Sequence, residues 1–242
     1  MLFAANGGTS AAAPLPATAP AEIIVTGSRV ATSPDDLAAN VTVLTRADFD
    51  VEKPAKLADI LRRVAGVHID QVGGRGGTGS LYMRGADPNY TLVLVDGVRV
   101  NDPTNARGGS FDFSTFDVAD VERVEVARGP YSAVYGGDAL AGVVNIVTRR
   151  APRERTQGSL DVMAGAYGTR EVVANAGGPL ERGNWNLGLG DSNEGEVVRG
   201  NHFDSQRVSG SVDTELGANT TLYASGRYAR SGREGFPDDT GG

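Results

Sequence analysis

The stretch from residue 128 to residue 150 constrains the fold more than any other part of the sequence. It predicts a turn followed by a short helix that Pro130 opens, because the backbone N–H missing from proline would be unpaired in a first helical turn anyway. Gly136 and Gly137 are expected to end that helix. The apolar run at residues 143–147 is rich in β-branched side chains, so it predicts a strand that is covered on both faces.

The sequence from residue 28 to residue 127 predicts a small domain of strands and short helices. Short strands are expected at residues 41–44, 67–71, 81–83 and 119–126. Residues 91–100 predict a hairpin, because the Asp96-Gly97 pair suits a type I′ turn, whose two central residues need positive φ. A helix that opens at Pro54 is expected to place four apolar residues on one face, at the spacing i, i+3, i+4, i+7. These residues are Leu57, Ile60, Leu61 and Val64.

The sequence changes character at Gly158, where apolar and polar residues begin to alternate in five segments. Segments of about 9 to 11 residues can cross a bilayer as tilted strands, and one apolar face is typical of a transmembrane β-barrel. A soluble antiparallel sandwich with one wet face shares this alternation, so the pattern alone leaves both architectures open. The apolar positions are every second residue, counted from the first, in the ranges 160–166, 172–176, 185–189, 208–212 and 222–228.

The connections between these segments favour the barrel. Residues 167–169 and 179–183 are expected to form short turns, residues 194–205 a long outer loop, and residues 217–219 another short turn. Outer-membrane barrels have short inner turns and longer outer loops. We expect Trp185, Tyr223 and Tyr228 in the aromatic girdles at the membrane interfaces.

Composition excludes several classes of function. The formal net charge of −7 argues against a nucleic-acid partner, since phosphate binding needs a basic surface. The absence of cysteine within these 242 residues excludes disulfides, thiolate catalysis and cysteine-bound zinc in this part of the protein. We find no Ser/His/Asp arrangement, and His68 lies on a predicted strand, where packing is the more common role. The sequence therefore predicts a protein that is not an enzyme.

A glycine pattern at residues 74–79 matches the dinucleotide-binding fingerprint, with Asp96 about 20 residues further on. That fingerprint requires a helix to open at its last glycine, so that the pyrophosphate meets a helix N-terminus. Residues 80–83 alternate instead as a strand. We therefore expect no nucleotide site here.

Several motifs resemble the plug domain of TonB-dependent outer-membrane transporters. The family ends its plug with R-G-P-x-S-x-x-Y-G-x-x-A-x-x-G-V-x-N-I-x-T, and residues 128–148 contain every fixed letter. Residues 57–67, 84–85, 93–99 and 121–130 match the family's upstream motifs. The resemblance implies an α+β plug domain, a small mixed sheet with short helices, followed by the first antiparallel strands of a transmembrane β-barrel. We expect the chain to be truncated relative to that barrel, with the plug at residues 28–150 and barrel strands at residues 151–242.

The N-terminal part of the chain is interpreted in two segments. Residues 1–21 are mostly Ala, Pro, Thr, Ser and Gly, which predicts a disordered leader or linker. Residues 22–27 form a short β-branched segment that resembles the TonB box, which implies that TonB pairs with it as an added strand. An ordinary first strand of the plug is the alternative. The predicted TonB-binding residues are Glu22, Ile23, Ile24, Val25, Thr26 and Gly27.

The resemblance also implies active transport of a scarce solute across the outer membrane of a Gram-negative bacterium, with membrane lipid around the barrel. Arg84 and Arg128 are expected to pair with barrel carboxylates and hold the plug, and for both a packing or fold role is preferred over a functional one. Motifs at residues 61–74 and 132–139 resemble cobalamin transporters most, so cobalamin is the expected substrate. A ferric siderophore and a soluble periplasmic plug-like binding module are the alternatives. Substrate contacts at the plug apex are expected from Gln71, Gly73, Gly74, Arg75, Asn101, Asn105 and Arg107.

Outer-loop acidic residues raise the possibility of calcium, which cobalamin transporters can bind and which prefers carboxylate oxygen ligands. The acidic residues that are candidates for such a site are Asp191, Asp204, Asp238 and Asp239. They lack tight Asp-x-Asp clustering, so solvated loop charge is the preferred interpretation and no cofactor is expected.

Overall fold

The computed structural model of the chain describes residues 40–52, 54, 56–71, 79–102, 109, 111, 113, 116–150, 154–195, 202–217 and 220–234. Residues 40–150 form the predicted plug and are called the plug below. Residues 157–234 contribute five long strands, called the wall sheet below.

The plug is built on a five-stranded mixed sheet with the strand order β1-β6-β7-β4-β5. Strands β4 and β7 are parallel, and the remaining neighbours are antiparallel. A separate antiparallel pair, β2 with β3, packs beside this sheet. The mixed sheet predicted from the motifs is therefore confirmed. The strands are β1 (Asn40–Leu44), β2 (Val67–Gln71), β3 (Gly79–Met83), β4 (Thr91–Val95), β5 (Val98–Arg99), β6 (Val121–Arg128) and β7 (Gly142–Thr148).

Strand β7 is the centre of the sheet, because it pairs with β6 on one side and β4 on the other. Val143, Val144 and Ile146 have no exposed surface, which confirms the prediction of a strand covered on both faces. Val144 and Ile146 pack into the main core, together with the plug's first helices, while Val143 packs against the segment after β6. An apolar run is stable here because both of its faces are removed from water.

The helices of the plug are short. They are α1 (Arg46–Glu52), α2 (Leu57–Leu61) and α3 (Ser132–Tyr135). The prediction that Pro54 opens a helix is wrong, since α2 begins at Leu57, although Leu57, Ile60, Leu61 and Val64 are all buried as expected. Helix α1 was not predicted, because only Phe49 among its residues is buried. None of the helices within the described residues is long and apolar enough to cross a membrane.

Two predicted turns have the expected backbone. Asp96 and Gly97 adopt φ values of 49° and 82°, which confirms the type I′ hairpin between β4 and β5. Gly136 ends α3 with a φ of 89°, as glycine at a helix C-terminus permits. Gly137 instead starts a short 3-10 turn, and Pro130 lies before the helix rather than within it, so both of those details were predicted wrongly.

The wall sheet is an antiparallel meander with the order β12-β11-β10-β9-β8. Its strands are β8 (Gln157–Ala164), β9 (Arg170–Leu180), β10 (Gly183–Glu194), β11 (His202–Gly217) and β12 (Thr220–Glu234). The five predicted segments are therefore confirmed. The turn predicted at residues 179–183 is shorter than expected, because β9 continues to Leu180 and β10 starts at Gly183. The predicted long loop also shortens, because β10 ends at Glu194 and β11 starts at His202.

The wall sheet exposes apolar side chains on the face that points away from the plug. Leu160 and Val162 are 67% and 69% exposed, and the apolar positions of the other four strands follow the same alternation. Further exposed members are Val172, Leu187, Leu189, Val208, Val212, Leu222 and Tyr228. The opposite face is mainly polar, although it also carries the buried Val173 and Phe203. Its buried polar residues include Ser192, Ser205, Arg207 and Asp213. This arrangement contradicts a soluble sandwich, whose apolar face would be inside.

Candidate functional site: the plug–wall interface

The wall sheet contacts the plug at one end of the plug's mixed sheet. Strands β4 and β7 are parallel and β6 is antiparallel to β7, so the last residues of β4 and β7 lie beside the first residues of β6. Three plug segments therefore face the wall together: the Asp96-Gly97 turn, the 3-10 turn Val118–Asp120, and the exit of β7 at residues 148–150. Each segment presents polar groups, and the polar face of the wall meets them.

The first contact joins the plug turn to a buried arginine of β11. Arg207 donates from Nη2 to Asp117 Oδ2 at 2.9 Å and to Glu171 Oε1 at 3.2 Å. Asp117 also accepts from the backbone N–H of Ala119 at 3.0 Å, which caps the 3-10 turn. Asp117 thus accepts a hydrogen bond within the plug at Oδ1 and pairs with the wall sheet at Oδ2.

The second contact lies next to it at Asp120. Ser209 donates to Asp120 Oδ2 at 3.1 Å, and the Arg227 guanidinium lies 3.4 Å above the Phe116 ring. Burial raises the pKa of the Asp120 carboxyl, and the neighbouring Asp117 carboxylate raises it further. Arg227, the Ser209 hydroxyl and Arg207 act in the opposite direction. The site therefore holds a carboxyl group that ionises less readily than an exposed aspartate.

The third contact joins the β4–β5 turn, the exit of β7 and strand β12. Asp96 accepts from the backbone N–H of Thr148 at 2.9 Å and from the Thr148 hydroxyl at 2.7 Å. Tyr223 donates to Asp96 Oδ2 at 3.3 Å, and the Arg150 guanidinium lies 4.8 Å from the Tyr223 ring centroid. The prediction that Tyr223 belongs to an interfacial girdle is therefore wrong, because its side chain points to the plug.

A cavity of about 360 Å³ lies between the plug and the wall beside these contacts. Asp96, Asp120 and Thr148 line it from the plug, and Ser211 and Arg227 line it from the wall. Hydroxyl and charged groups face each other across this space. Val95, Val100, Phe111 and Phe116 add apolar surface from the plug, so the cavity is of mixed polarity. The interface is incompletely packed there, in contrast to the plug core.

The structure describes only part of the predicted substrate site. Gly73, Gly74, Arg75, Asn105 and Arg107 lie outside the described residues, and Gln71 is the last residue of β2. Asn101 is buried and its amide is engaged inside the plug: Oδ1 accepts from Val93 N at 2.6 Å, and Nδ2 donates to Thr91 O and Gly109 O. This geometry fits a residue that orders its own loop. Substrate contact by these residues stays a prediction.

Arg128 has its hydrogen bonds inside the plug. It donates to the side chains of Asn40 and Thr42 on β1 and, at 3.1 Å, to the carbonyl of Ala65. Burial, with Arg84 nearby, lowers the pKa of Arg128. Arg84 adopts a φ of 53° in the turn after β3. The predicted contact of both arginines with the barrel stays a prediction.

The remaining predicted sites are largely outside the described residues. The proposed TonB box at Glu22–Gly27 and the acidic residues Asp238 and Asp239 lie there. Asp191 and Asp204 are exposed on the outer face of β10 and β11, and Asp191 accepts from Gln206 at 3.4 Å. Within the described part of the chain, acidic and histidine side chains form no group of three that could hold a metal ion. Calcium binding by Asp191 and Asp204 stays a prediction.

Sequence reasoning missed the residues that form the plug–wall interface. Asp117 and Asp120 lie in a polar stretch where aspartate is common, and Arg207 precedes the alternating segment predicted at residues 208–212. A usable signal was present in the inward positions of β11, where Ser205, Arg207 and Ser209 alternate with outward residues. Polar residues on the inward face of a membrane strand need a partner inside the barrel.

Comparison with known proteins shows what the first part of the chain is similar to. A family model described as TonB-dependent Receptor Plug Domain matches residues 33–143. That family comprises receptors and transporters and not enzymes. The match includes β7 up to Val143 and every plug segment that contacts the wall except residues 148–150.

Solved structures match the plug and the wall sheet together. The siderophore receptor PirA from Acinetobacter baumannii is 24% identical with a TM-score of 0.65, and the match covers 80% of this chain and 32% of that one. PirA from Pseudomonas aeruginosa is 26% identical with a TM-score of 0.61, covering 80% and 34%. The ferripyoverdine receptor of the P. aeruginosa outer membrane, bound to ferripyoverdine, is 18% identical with a TM-score of 0.71, covering 86% and 27%.

The chain spans about a third of the length of the PirA structures that it matches. The plug match and these structures together indicate the outer membrane of a Gram-negative bacterium as its location. Residues 33–143 therefore match a TonB-dependent receptor plug domain, and the antiparallel strands that follow resemble the start of the barrel in such receptors.

Proposed function

We propose that the full-length protein takes up a ferric siderophore across the outer membrane in a TonB-dependent manner. The observation that carries this proposal is the two-faced wall sheet. Its polar face binds the plug through Arg207, Ser209 and Tyr223, while its other face exposes apolar side chains such as Leu160 and Val162. A soluble plug-like module would leave that apolar face in water, which is unfavourable over a surface of this extent.

The comparisons support a siderophore better than cobalamin. Cobalamin was expected because residues 61–74 and 132–139 resemble cobalamin transporters. Two of the matching structures are instead named as the siderophore receptor PirA, from A. baumannii at 24% identity and from P. aeruginosa at 26% identity. One fold serves many substrates, so this is support from similarity and needs a direct test.

The four parts of the chain have separate roles in this transport. TonB pairs with residues 22–27 through backbone hydrogen bonds, and the pull displaces part of a plug that spans residues 28–150. Residues 151–242 form the first strands of the barrel, whose outer face contacts membrane lipid. The substrate binds at the loops around residues 71–80 and 101–110, on the outer side of the plug.

The experiment compares binding and uptake in the full-length protein. Ferric enterobactin, ferripyoverdine and cobalamin are each tested as labelled ligands, with the variant Ile24→Pro beside the wild type. Proline removes a strand N–H, so we expect uptake to fall about tenfold or more while the Kd stays unchanged. Ala12→Pro, in the predicted linker, is the matched control and should leave both values unchanged.

The outcomes separate the parts of the proposal. Tight binding of cobalamin, with neither siderophore bound, would reject the substrate class and keep the transporter. Equal uptake by Ile24→Pro and the wild type would reject residues 22–27 as the TonB-binding strand.

A further inference from the structure

Arg207 contacts more structural elements than any other residue described at the interface. Its guanidinium reaches Asp117 on the plug and Glu171 on β9, and Nη1 donates to Ser192 on β10 at 3.2 Å and to Ser205 on β11 at 3.4 Å. One side chain therefore connects a plug turn to three neighbouring wall strands. A planar guanidinium suits this role, because it presents several donors in fixed directions.

The ion pairs of Arg207 are shielded from water. The side chain of Arg207 is 5% exposed, and those of Asp117 and Glu171 are 11% and 14% exposed. In such surroundings an ion pair is screened little by salt, and the loss of one partner leaves a charge that is costly to keep buried. Arg207 therefore differs from a surface ion pair, whose removal has little effect.

The plug turn that Arg207 contacts is held firmly by the rest of the plug. Arg46 donates from Nη1 to the carbonyls of Val118 and Val121 at 2.9 and 3.3 Å. The backbone N–H of Arg149 donates to the carbonyl of Asp120 at 2.8 Å. A force on Asp117 is thus transmitted to α1, β6 and β7 rather than to a loose loop.

Strand β10 leaves space for these groups at two glycines. A Cβ atom at Gly188 would lie 2.8 Å from Asp120 Oδ1 and 2.5 Å from the Ser209 hydroxyl. A Cβ atom at Gly190 would lie 3.1 Å from both Nε and Nη2 of Arg207. The wall sheet therefore has a depression along β10. The Asp120 carboxylate lies over Gly188, and the Arg207 guanidinium lies over Gly190.

We propose that Arg207 is a positioning residue that seats the plug in the wall by binding Asp117, with Gly188 and Gly190 providing the space. This inference rests on the proposed function, because it concerns the closed state of the transporter. The plug is thereby held in the wall sheet through Asp117, which caps the Val118–Asp120 turn. This turn is distant in sequence from residues 22–27, where TonB is proposed to bind.

The test measures leakage through the full-length protein in cells that lack TonB and receive no siderophore. Entry of an antibiotic too large for general porins reports how well the plug is seated. We expect Arg207→Gln to raise entry at least about tenfold, because a buried ion pair loses a partner. Arg207→Lys keeps the charge and should restore most of the barrier. Arg230→Gln is the matched control, since Arg230 is exposed on the outer face of the neighbouring strand β12.

A double-mutant cycle with Asp117→Asn tests the specific contact. If Arg207 acts through Asp117, the double variant should leak no more than Arg207→Gln alone. Leakage that multiplies in the double variant would overturn the proposal, as would wild-type leakage of a correctly inserted Arg207→Gln protein.

Two further variants keep the proposal testable if Arg207→Gln fails to insert. Gly190→Ala leaves every charge in place and requires the Arg207 guanidinium to move by a few tenths of an ångström, so leakage should rise. Gly210→Ala is its control, because the nearest atom to a Cβ there is 3.6 Å away. Equal leakage from the two alanine variants would overturn the proposal. No outcome depends on the substrate, so absence of siderophore binding would reject the proposed function and leave this result intact.

Discussion

Asp120 shows how the interface changes the chemistry of a single residue. Its carboxyl group is buried between the plug and the wall, and burial raises its pKa above the ordinary value of 3.8. As the pH rises past that value, the unfolded chain loses its proton first while the folded protein still holds it. Folding stability therefore falls with rising pH until the raised folded-state pKa is passed.

The variant Asp120→Asn should remove this pH dependence. The amide oxygen still accepts a hydrogen bond from Ser209, but no charge has to be buried. We expect the stability of the variant relative to the wild type to increase as the pH rises above the ordinary pKa of an aspartate. Thermal unfolding of the detergent-solubilised full-length protein at several pH values measures this difference.

Asp191→Asn is the control for that experiment, because Asp191 is exposed on the outer face of β10. Of the two variants, Asp120→Asn should show the larger change of stability with pH. A difference for Asp120→Asn that stays constant or shrinks as the pH rises would contradict the role assigned to burial.

The contacts of single interface residues were beyond the reach of sequence patterns. Asp96 and Tyr223 are separated by 127 positions, and Asp117 and Arg207 by 90. Alternation indicates which side of a strand a residue faces, but it does not indicate which distant partner it meets. Tyr223 was assigned to the membrane interface from its aromatic character, although the alternation of β12 already places it on the polar face.

At the level of elements, a chain of buried polar groups ties the plug sheet together. Glu125 on β6 has no exposed surface and accepts from Arg123 Nε at 2.9 Å and from Asn145 Nδ2 at 3.3 Å. Asn145 on β7 in turn accepts from the backbone N–H of Gly97 at 3.2 Å. The chain thus links β6, β7 and the β4–β5 turn.

The variant Glu125→Ala should destabilise the plug by about 3–5 kcal/mol, because Arg123 and Asn145 would lose a buried acceptor. Glu125→Gln keeps an acceptor oxygen and should cost less. Denaturant unfolding of the full-length protein, followed by a probe in the plug, measures both. Glu122→Ala on the same strand is the control and should stay within about 0.5 kcal/mol of the wild type. Equal losses in Glu125→Ala and Glu122→Ala would contradict the linking role.

Elements with strong local requirements were predicted well. The hairpin at residues 91–100 depends on two residues with positive φ, and the Asp-Gly pair supplies them. Strand β7 was predicted because a β-branched apolar run has few alternatives. Helix α1 was missed because it buries only Phe49, so its sequence has no apolar periodicity to detect. The start of α2 was misplaced because Pro54 is compatible with a helix N-terminus without requiring one.

At the scale of the whole molecule, the two faces of the wall sheet differ in the side chains that they present. Along β10, Leu187 and Leu189 are exposed on the outer face, while Asn184 and Ser192 are buried on the inner one. The alternation was read correctly from the sequence, because a strand places successive side chains on opposite faces. The depression at Gly188 and Gly190 could not be predicted from the sequence. It is recognisable only in the structure, where the Asp120 carboxylate and the Arg207 guanidinium occupy it.

The variant Leu187→Arg should therefore impair insertion of the full-length protein. A charge on the lipid face near the middle of the bilayer costs about 2–4 kcal/mol. The fraction of heat-resistant, membrane-inserted protein, or urea unfolding in lipid vesicles, measures the loss. Asp161→Arg, on the inward face of β8, is the control and should insert normally. Normal insertion of Leu187→Arg together with failure of Asp161→Arg would mean that the two faces are assigned the wrong way round.

The strict alternation of β11 has a consequence for changes in its length. Removing one residue ahead of Arg207 without repairing the register would turn the guanidinium outward and point Val208 at the plug carboxylates. Every later side chain of the strand would be inverted with it. Insertions and deletions within this strand are therefore tolerable only in even numbers, or where a bulge such as the irregularity between Glu215 and Gly217 absorbs the odd residue.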